Sequence, residues 1–320
     1  MYKNYYLINL EIKVKTSISN TLHKIFILQQ KHLLLCTLEN NMNFQADLHT
    51  HSIFSDGEMS VGLILQKAQS LGIRYISITD HENTKQNECV QKISKYNNFE
   101  IKVIPGIEIS TKYQSKDIHL VIYYNPEITK EINFILEPLK EKNLKRVRNI
   151  MKELEAVGFN FTNFNINDSR TLNRLCLARY IYNNSNLKTI EEVFQRYLDN
   201  YKSEKEKQGY PETKEMIRNF SKLGCFIGIA HPDFLEDWNN IRIIHEFMKE
   251  GLNGMEFHHP MINLQLENKI LKFLEENSLV PLGGSDFHGY DTKRRELGKY
   301  NIPNSSAEYI MKYLKIHTAY

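Results

Sequence analysis

The chain has 320 residues, with 41 Lys and Arg against 38 Asp and Glu, a formal net charge of +3, 12 His and only 4 Cys. Hydrophobic residues make up 41% and charged residues 25%, which excludes a disordered, collagen-like or disulfide-framework protein and leaves room for one large α/β domain, with or without an insertion. Cys36, Cys89, Cys176 and Cys225 form no CxxC pair, so a thiolate zinc site and a redox motif are excluded, and the near-balanced charge argues against bulk coating of nucleic acid.

Residues 1–41 contain no Gly and no Pro, and their most apolar stretch, Ile25–Leu38, is interrupted by Gln29, Gln30, Lys31 and His32. Neither a bilayer span of roughly 20 apolar residues nor a secretory signal is expected, which makes a cytoplasmic location the default. Met42 lies just before the first chemical motif, which predicts that it is the working start and that 1–41 is an extension outside the fold. An N-terminal helix packed on the domain is the alternative.

From residue 44 the chain alternates β-rich and helical patterns. Phe44–Leu48 reads as a strand, Val61–Leu71 as a helix stopped by Gly72, Arg74–Thr79 as a buried strand, and Lys85–Tyr96 as a helix. Glu100–Ile109 and Ile118–Tyr123 are two further strands. Between Pro126 and Pro211 the rhythm stops, and Ile128–Val157, Leu172–Asn183 and Ile190–Asn200 read as helices. The alternation then resumes with strands Cys225–Ala230, Gly254–Phe257 and Val280–Gly283, helices Trp238–Glu250 and Leu264–Asn277, and a closing helix Tyr309–Ile316. Seven strands with mostly helical connections predict a parallel sheet closed into a barrel over 42–125 and 212–320, with 126–211 as a helical insertion subdomain.

The chemistry-bearing residues fall where predicted strands end or begin. The first strand runs into Asp47-Leu48-His49-Thr50-His51 and then Ser55-Asp56-Gly57. Residues i and i+2 of an extended chain share a face, so His49 and His51 can chelate one ion. Thr79-Asp80-His81 ends the second strand, Gly106-Ile107-Glu108 the third; His119 lies near the start of the fourth. Ala230-His231-Pro232 closes the fifth strand, and the seventh leads into Ser285-Asp286-Phe287-His288, a second i, i+2 pair. Taken singly, each has an ordinary explanation as a core histidine or a helix-capping aspartate. Jointly, six of the twelve histidines and several carboxylates meet at strand termini, where βα barrels carry their active sites. Imidazole and carboxylate ligands without thiolate suit Zn²⁺, Mn²⁺ or Fe²⁺, and nine candidate ligands imply two or three divalent ions. Asp80 can be a ligand or orient His81. His258 and His259, after the sixth strand, are expected on the substrate rim.

These motifs, DLHTHS…SDG, TDH, GIE, HLV, AHP and GSDFHG, run in that order from Asp47 to Gly289 and resemble the polymerase and histidinol phosphatase (PHP) superfamily of metal-dependent phosphoesterases. The resemblance implies a distorted seven-stranded TIM-like (β/α)7 barrel with a trinuclear centre. It also implies His49, His51, Asp56, His81, Glu108, His119, His231, Asp286 and His288 as metal ligands, with Glu108 bridging. The helical insertion is most similar to the branch of 3′,5′-nucleoside bisphosphate phosphatase and RNase AM exoribonuclease. Arg174 to Arg179 and Val193 to Leu198 resemble that branch's RPHIA…AFxRYL pattern, although Leu175-Cys176 replaces Pro-His and Lys202–Gly209 is charged.

The expected reaction is hydrolysis of a phosphomonoester or short nucleotide substrate by a metal-bridging hydroxide, with His49, His51, Asp56, Glu108 and Asp286 at the reacting centre. Arg174, Arg179, Arg294 and Arg295 are candidates for holding phosphate, against the ordinary reading of solvated charges, and Arg174 is favoured by its match to the branch. Rival readings are a histidinol-phosphatase-like enzyme, an amidohydrolase-type hydrolase lacking the usual strand-end Lys, and a non-catalytic metal or nucleic-acid binding module. The cluster Lys140, Lys142, Lys145, Arg146 and Arg148 leaves contact with short RNA open, although Glu137, Glu141, Glu153 and Glu155 interleave with it.

Overall fold

A computed structural model describes residues 44–94, 99–166, 170–199, 210–289 and 295–316. The expectations for residues 1–41, for Met42, for Lys202–Gly209 and for Arg294 lie outside the described residues. In chain order the elements are β1 (Phe44–Thr50), α1 (Val61–Ser70), β2 (Tyr75–Ile78), α2 (Lys85–Ser94), β3 (Lys102–Val103), β4 (Gly106–Tyr113) and β5 (Lys116–Tyr123). A helical stretch follows with α3 (Thr129–Ala156), α4 (Arg174–Asn183) and α5 (Ile190–Val193), the last running into a π turn at Phe194–Leu198. Then come α6 (Thr213–Lys222), β6 (Phe226–Ile229), α7 (Ile241–Glu250), β7 (Gly254–His258), α8 (Leu264–Asn277), β8 (Val280–Gly283), β9 (Ile302–Pro303) and α9 (Asn304–Tyr313).

The fold is α/β, with two sheets of order β3-β2-β1-β9 and β4-β5-β6-β7-β8. Strands β1, β2 and β3 pair in parallel, as do β6, β7 and β8, whereas β1/β9, β4/β5 and β5/β6 are antiparallel. Single residue pairs, Thr50 with Phe287 and His81 with Glu108, bridge from one sheet to the other. The sequence pattern differs here in two ways. Pro105, which has no N–H to give a ladder, separates β3 from β4 inside what reads as one strand. The β4–β5 connection is a tight hairpin at Gln114-Ser115, with Gln114 left-handed at φ 56°, so Glu108 lies inside a strand rather than at its end.

Three clusters of buried side chains support these elements. The largest joins Leu48, Ile107, Val121, Ile227, Met255 and Leu282 to the helices packed outside them. A second gathers Ile64, Leu65, Ile76 and Val103 beneath α1 and α2. Helix α3 belongs to two clusters: Ile132 and Leu136 join the main core, whereas Val147, Ile150 and Leu154 pack with Leu177, Ile181, Val193 and Leu198. Helix α6, absent from the sequence reading, buries Met216, Ile217 and Phe220 at helical spacing.

Closure around β1 depends on one carboxylate and one glycine. Fully buried Asp47 accepts from the Ser285 backbone N–H (2.9 Å) and the Gly298 backbone N–H (3.0 Å), tying β1 to the segments after β8. At Gly284 an added Cβ would run into the His49 backbone, so only glycine lets β8 lead away this close to β1. Asp47→Ala leaves two buried donors without a partner and should lower unfolding stability by about 2–4 kcal/mol. Urea titration followed by circular dichroism checks this, and an unchanged midpoint would contradict it.

Candidate metal centre

Backbone hydrogen bonds stitch the ligand-bearing segments directly to one another. Asp286 N–H donates to His49 O and His51 N–H to Phe287 O, both at 2.8 Å, while Thr79 N–H donates to Thr50 O at 2.8 Å. Glu108 N–H donates to Thr79 O, Glu82 N–H to Glu108 O and Ala230 N–H to His119 O, each at 2.9 Å. Side chains from six strands and their following loops therefore start from a fixed frame. His231 and Asp286 hold left-handed backbones (φ 26° and 51°), a conformation costly for residues other than glycine and concentrated at functional sites.

The loop after β1 is shaped by Asp80. Its Oδ1 accepts from Ser52 N–H (2.8 Å) and Ser55 Oγ (2.5 Å), and its Oδ2 accepts from Ser52 Oγ (2.5 Å). Asp80 thus belongs to none of the ligand clusters among the described residues and does not bond His81. It fixes the turn that presents His51 and Asp56.

At the centre, Glu108 is 1% exposed and five imidazoles surround its carboxylate. His49 Nε2 and His51 Nε2 each lie 3.1 Å from Oε2, with His81 Nδ1 at 3.4 Å. His119 Nδ1 and His231 Nε2 lie 2.7 and 3.1 Å from Oε1. Asp286 Oδ1 is 3.5 Å from His49 Nε2 and 3.2 Å from His51 Nε2. Around Asp56 are His288 Nε2 at 3.3 Å and His81 Nε2 at 3.7 Å. All nine sequence-predicted ligands converge in three sets: His49, His51, Glu108 and Asp286; Glu108, His119 and His231; and His51, Asp56, His81 and His288.

The donor sets fit divalent cations. His49 Nε2 and His51 Nε2 face one another at 3.1 Å, close to the roughly 3.0–3.4 Å edge of a coordination polyhedron with metal–ligand bonds of 2.0–2.2 Å. His81 Nδ1 is buried with no hydrogen-bond partner among the described residues, an uncompensated polar atom that a cation would satisfy. Burial disfavours charge throughout, yet His288, His81 and His51 hold the Asp56 carboxyl well below its usual range. His81, His49 and His119 do the same for Glu108, and Arg295, His288 and His49 for Asp286. Against its burial, His51 is raised to about 10 by Asp286, Glu108 and Asp56. Burial lowers His81 to about 4, leaving an unprotonated ligand nitrogen. Carboxylates that favour positive charge on His51 would favour it on a cation as well.

The remaining sequence candidates separate. Arg295 Nη1 pairs with Asp286 Oδ2 at 2.9 Å. The Arg179 guanidinium donates to the carbonyls of Asp56 and His288 and faces Glu58, so it braces two ligand loops. Arg174, at the start of α4, has Nη1 buried with no hydrogen-bond partner among the described residues. A register shift in β7 between Glu256 and His258 breaks the strand's alternation. His258 accordingly turns to Glu267 (3.2 Å), while His259 enters the cluster, its Nδ1 accepting from Met261 N–H and its Nε2 3.5 Å from Asp286.

Sequence reasoning missed two residues. Asn173 caps α4 through Oδ1 and donates from Nδ2 to Asp56 Oδ2 at 2.6 Å. Glu256, fully buried in β7, accepts from His49 Nδ1 at 2.9 Å; a carboxylate in the buried run Gly254-Met255-Glu256-Phe257 was the available signal. Between the β1–α1 loop and the helical stretch lies a cleft of about 310 Å³, walled by Asp56, Phe164, Arg170, Arg179 and Tyr180.

Chelator-stripped protein titrated with Mn²⁺ or Zn²⁺ should gain thermal stability, by about 2.7 kcal/mol at a hundredfold excess over Kd for one site. A melting temperature indifferent to both ions would count against a metal centre.

Comparison with known proteins agrees with this geometry. The 5′-3′ exoribonuclease of Haemophilus influenzae is 26% identical over 263 residues, covering 81% of this chain and 94% of that protein. The 3′,5′-nucleoside bisphosphate phosphatase of Chromobacterium violaceum is 23% identical over 258 residues, covering 79% and 90%. Among solved structures, a protein described as an amidohydrolase from Chromobacterium violaceum superposes with a TM-score of 0.67 at 21% identity, covering 84% of this chain and 96% of that one. A Bifidobacterium adolescentis protein superposes with a TM-score of 0.74 at 20% identity, covering 85% and 98%. The PHP domain matches residues 47–233, more than half of the sequence and the span carrying seven of the nine converging ligands, and the chain belongs to the PHP domain family.

Proposed function

We propose that this protein is a metal-dependent phosphoesterase that hydrolyses a phosphomonoester or short nucleotide substrate, resembling the bisphosphate phosphatase and exoribonuclease relatives in substrate class. The observation that carries this reading is the convergence of three adjoining ligand sets, two of them sharing the carboxylate of Glu108 and the third joined to them through His51. In this reading His49, His51, Glu108 and Asp286 hold one divalent ion, Glu108, His119 and His231 a second, and Asp56, His81 and His288 a third. Mn²⁺, Zn²⁺ or Fe²⁺ suits such imidazole and carboxylate donors. Bound ions would lower the pKa of water and offset charge gathering on the phosphoryl oxygens.

The chain's own groups supply the rest. Arg295 holds Asp286 in place through its ion pair. Arg174 offers an unpaired guanidinium N–H to a phosphate oxygen. His259, whose Nδ1 accepts a backbone N–H, presents Nε2–H beside Asp286. In the same reading the two bridged sheets form a distorted barrel of the seven-stranded (β/α)7 kind over 42–125 and 212–320. Residues 126–211 are an insertion that selects substrate through the cleft beside Asp56. Among the described residues no helix is long and apolar enough to cross a membrane; in this reading the enzyme works in the cytoplasm on nucleotides or short RNA.

The test is phosphate or nucleotide release by metal-replete protein from nucleoside 3′,5′-bisphosphate, 5′-phosphorylated short RNA and histidinol phosphate. Turnover of at least one is expected, and silence on all would overturn the reading. His49→Ala and Asp286→Asn should abolish turnover and lower bound metal. Arg174→Ala should lower kcat/KM by about 10- to 100-fold, the worth of one hydrogen bond to a charged group, with metal content unchanged; equal loss of metal would assign Arg174 to the fold instead.

A further inference from the structure

Glu256 is not among the nine ligands assigned above; it groups instead with His49 and His259, and its carboxylate touches two of the assigned sets. It sits in the middle of β7, is fully buried, and makes no ion pair with Lys or Arg among the described residues. Its Oε1 lies 2.9 Å from His49 Nδ1 and its Oε2 accepts from the His231 backbone N–H at 2.6 Å. A buried carboxylate without a cation is costly, and these two hydrogen bonds offset that cost.

Each of the two bonds constrains one ligand. With Oε2 engaged by a backbone N–H, Oε1 is the acceptor left for the imidazole, so the geometry places a proton on His49 Nδ1. Nε2, which faces His51 Nε2 and Glu108 Oε2 at 3.1 Å each, is then the nitrogen left to meet an ion. His231 holds φ at 26°, a strained backbone for a residue with a Cβ. The bond from its N–H to Glu256 secures that conformation, and from it His231 Nε2 reaches Glu108 Oε1 at 3.1 Å. One carboxylate on β7 therefore sets the tautomer of a ligand on β1 and the backbone of a ligand after β6.

We propose that Glu256 is a positioning residue that prepares two of the three ligand sets together, by fixing His49 as an Nε2 ligand and His231 in its left-handed conformation. This rests on the metal-centre reading above and extends it to a residue outside the ligand sets. Glutamine cannot replace it: its single oxygen accepts one of the two donors, and its amide N–H₂ confronts the other. If the N–H₂ faces His49, Nδ1 must become the acceptor and the proton moves to Nε2, where it blocks ligation.

The experiment measures metal rather than turnover, so a protein that loads metal but hydrolyses nothing would defeat the functional reading alone. Chelator-stripped wild type and Glu256→Gln are dialysed against graded Zn²⁺, and bound zinc per chain is read by plasma mass spectrometry, with circular dichroism confirming the fold. Glu256→Gln should bind about 10- to 100-fold more weakly at two of its sites, the usual cost of losing such a supporting contact, while the Asp56, His81 and His288 set keeps its zinc. Glu256→Asp, which retains two acceptor oxygens, should recover part of the loss. Zinc binding by Glu256→Gln equal to wild type would overturn the proposal. A second measurement requires no variant: in zinc-loaded wild type, ¹⁵N spectra of the histidines should show His49 protonated at Nδ1 and ligated through Nε2. The reverse assignment would overturn the proposal equally.

Discussion

The centre depends on a single electrostatic arrangement: one water-excluded carboxylate, Glu108, facing five imidazoles that come from four separate stretches of chain. A carboxylate at this depth is untenable alone, and so many imidazoles gathered in one place are untenable without negative charge among them. Each half makes the other possible. The antiparallel β4–β5 hairpin serves this need, because it brings His119 to the flank of Glu108 without an intervening helix, so that carboxylate and one of its imidazole partners share a local unit.

Much of the surrounding fold keeps that arrangement rigid. Asp47 and Gly284 hold the segment after β8 against β1, and Asp80 pins the serine loop between His51 and Asp56. These residues surround the ligands without joining them. Charged and hydroxyl groups are spent in the interior on fixing backbone, which lets left-handed residues such as His231 and Asp286 persist. Precision in the ligands is thus obtained from groups that never need to meet a substrate.

The sequence made the converging residues legible because local spacing, HxH at β1 and DxH after β8, and strand-end placement both report on direction without needing tertiary information. The strand count was harder: Pro105 divides a continuous β-like run, and β9 has only two residues, too few for a period. The roles of the arginines were not legible at all. Arg179 and Arg174 lie less than a turn and a half apart on α4, yet one is engaged by carbonyls of the ligand loops and the other has a buried unpaired nitrogen. Glu256 was hidden by the register shift in β7, since strict alternation would place it with His258 rather than with His259. Pairing across strands, which a single sequence does not display, decides such cases.

The contact between Asn173 and Asp56 has a consequence for regulation. Asn173 is at once the cap of α4 and a donor to a carboxylate in the third ligand set, so the seating of the helical stretch and the charge on that set share one hydrogen bond. Thermodynamic reciprocity then requires that whatever steadies α4 in its place, including a molecule lodged in the adjoining cleft, also changes the hold on a cation at Asp56, by the same factor in both directions. The seating of α4 and the charge environment of Asp56 are in this way two readings of a single contact.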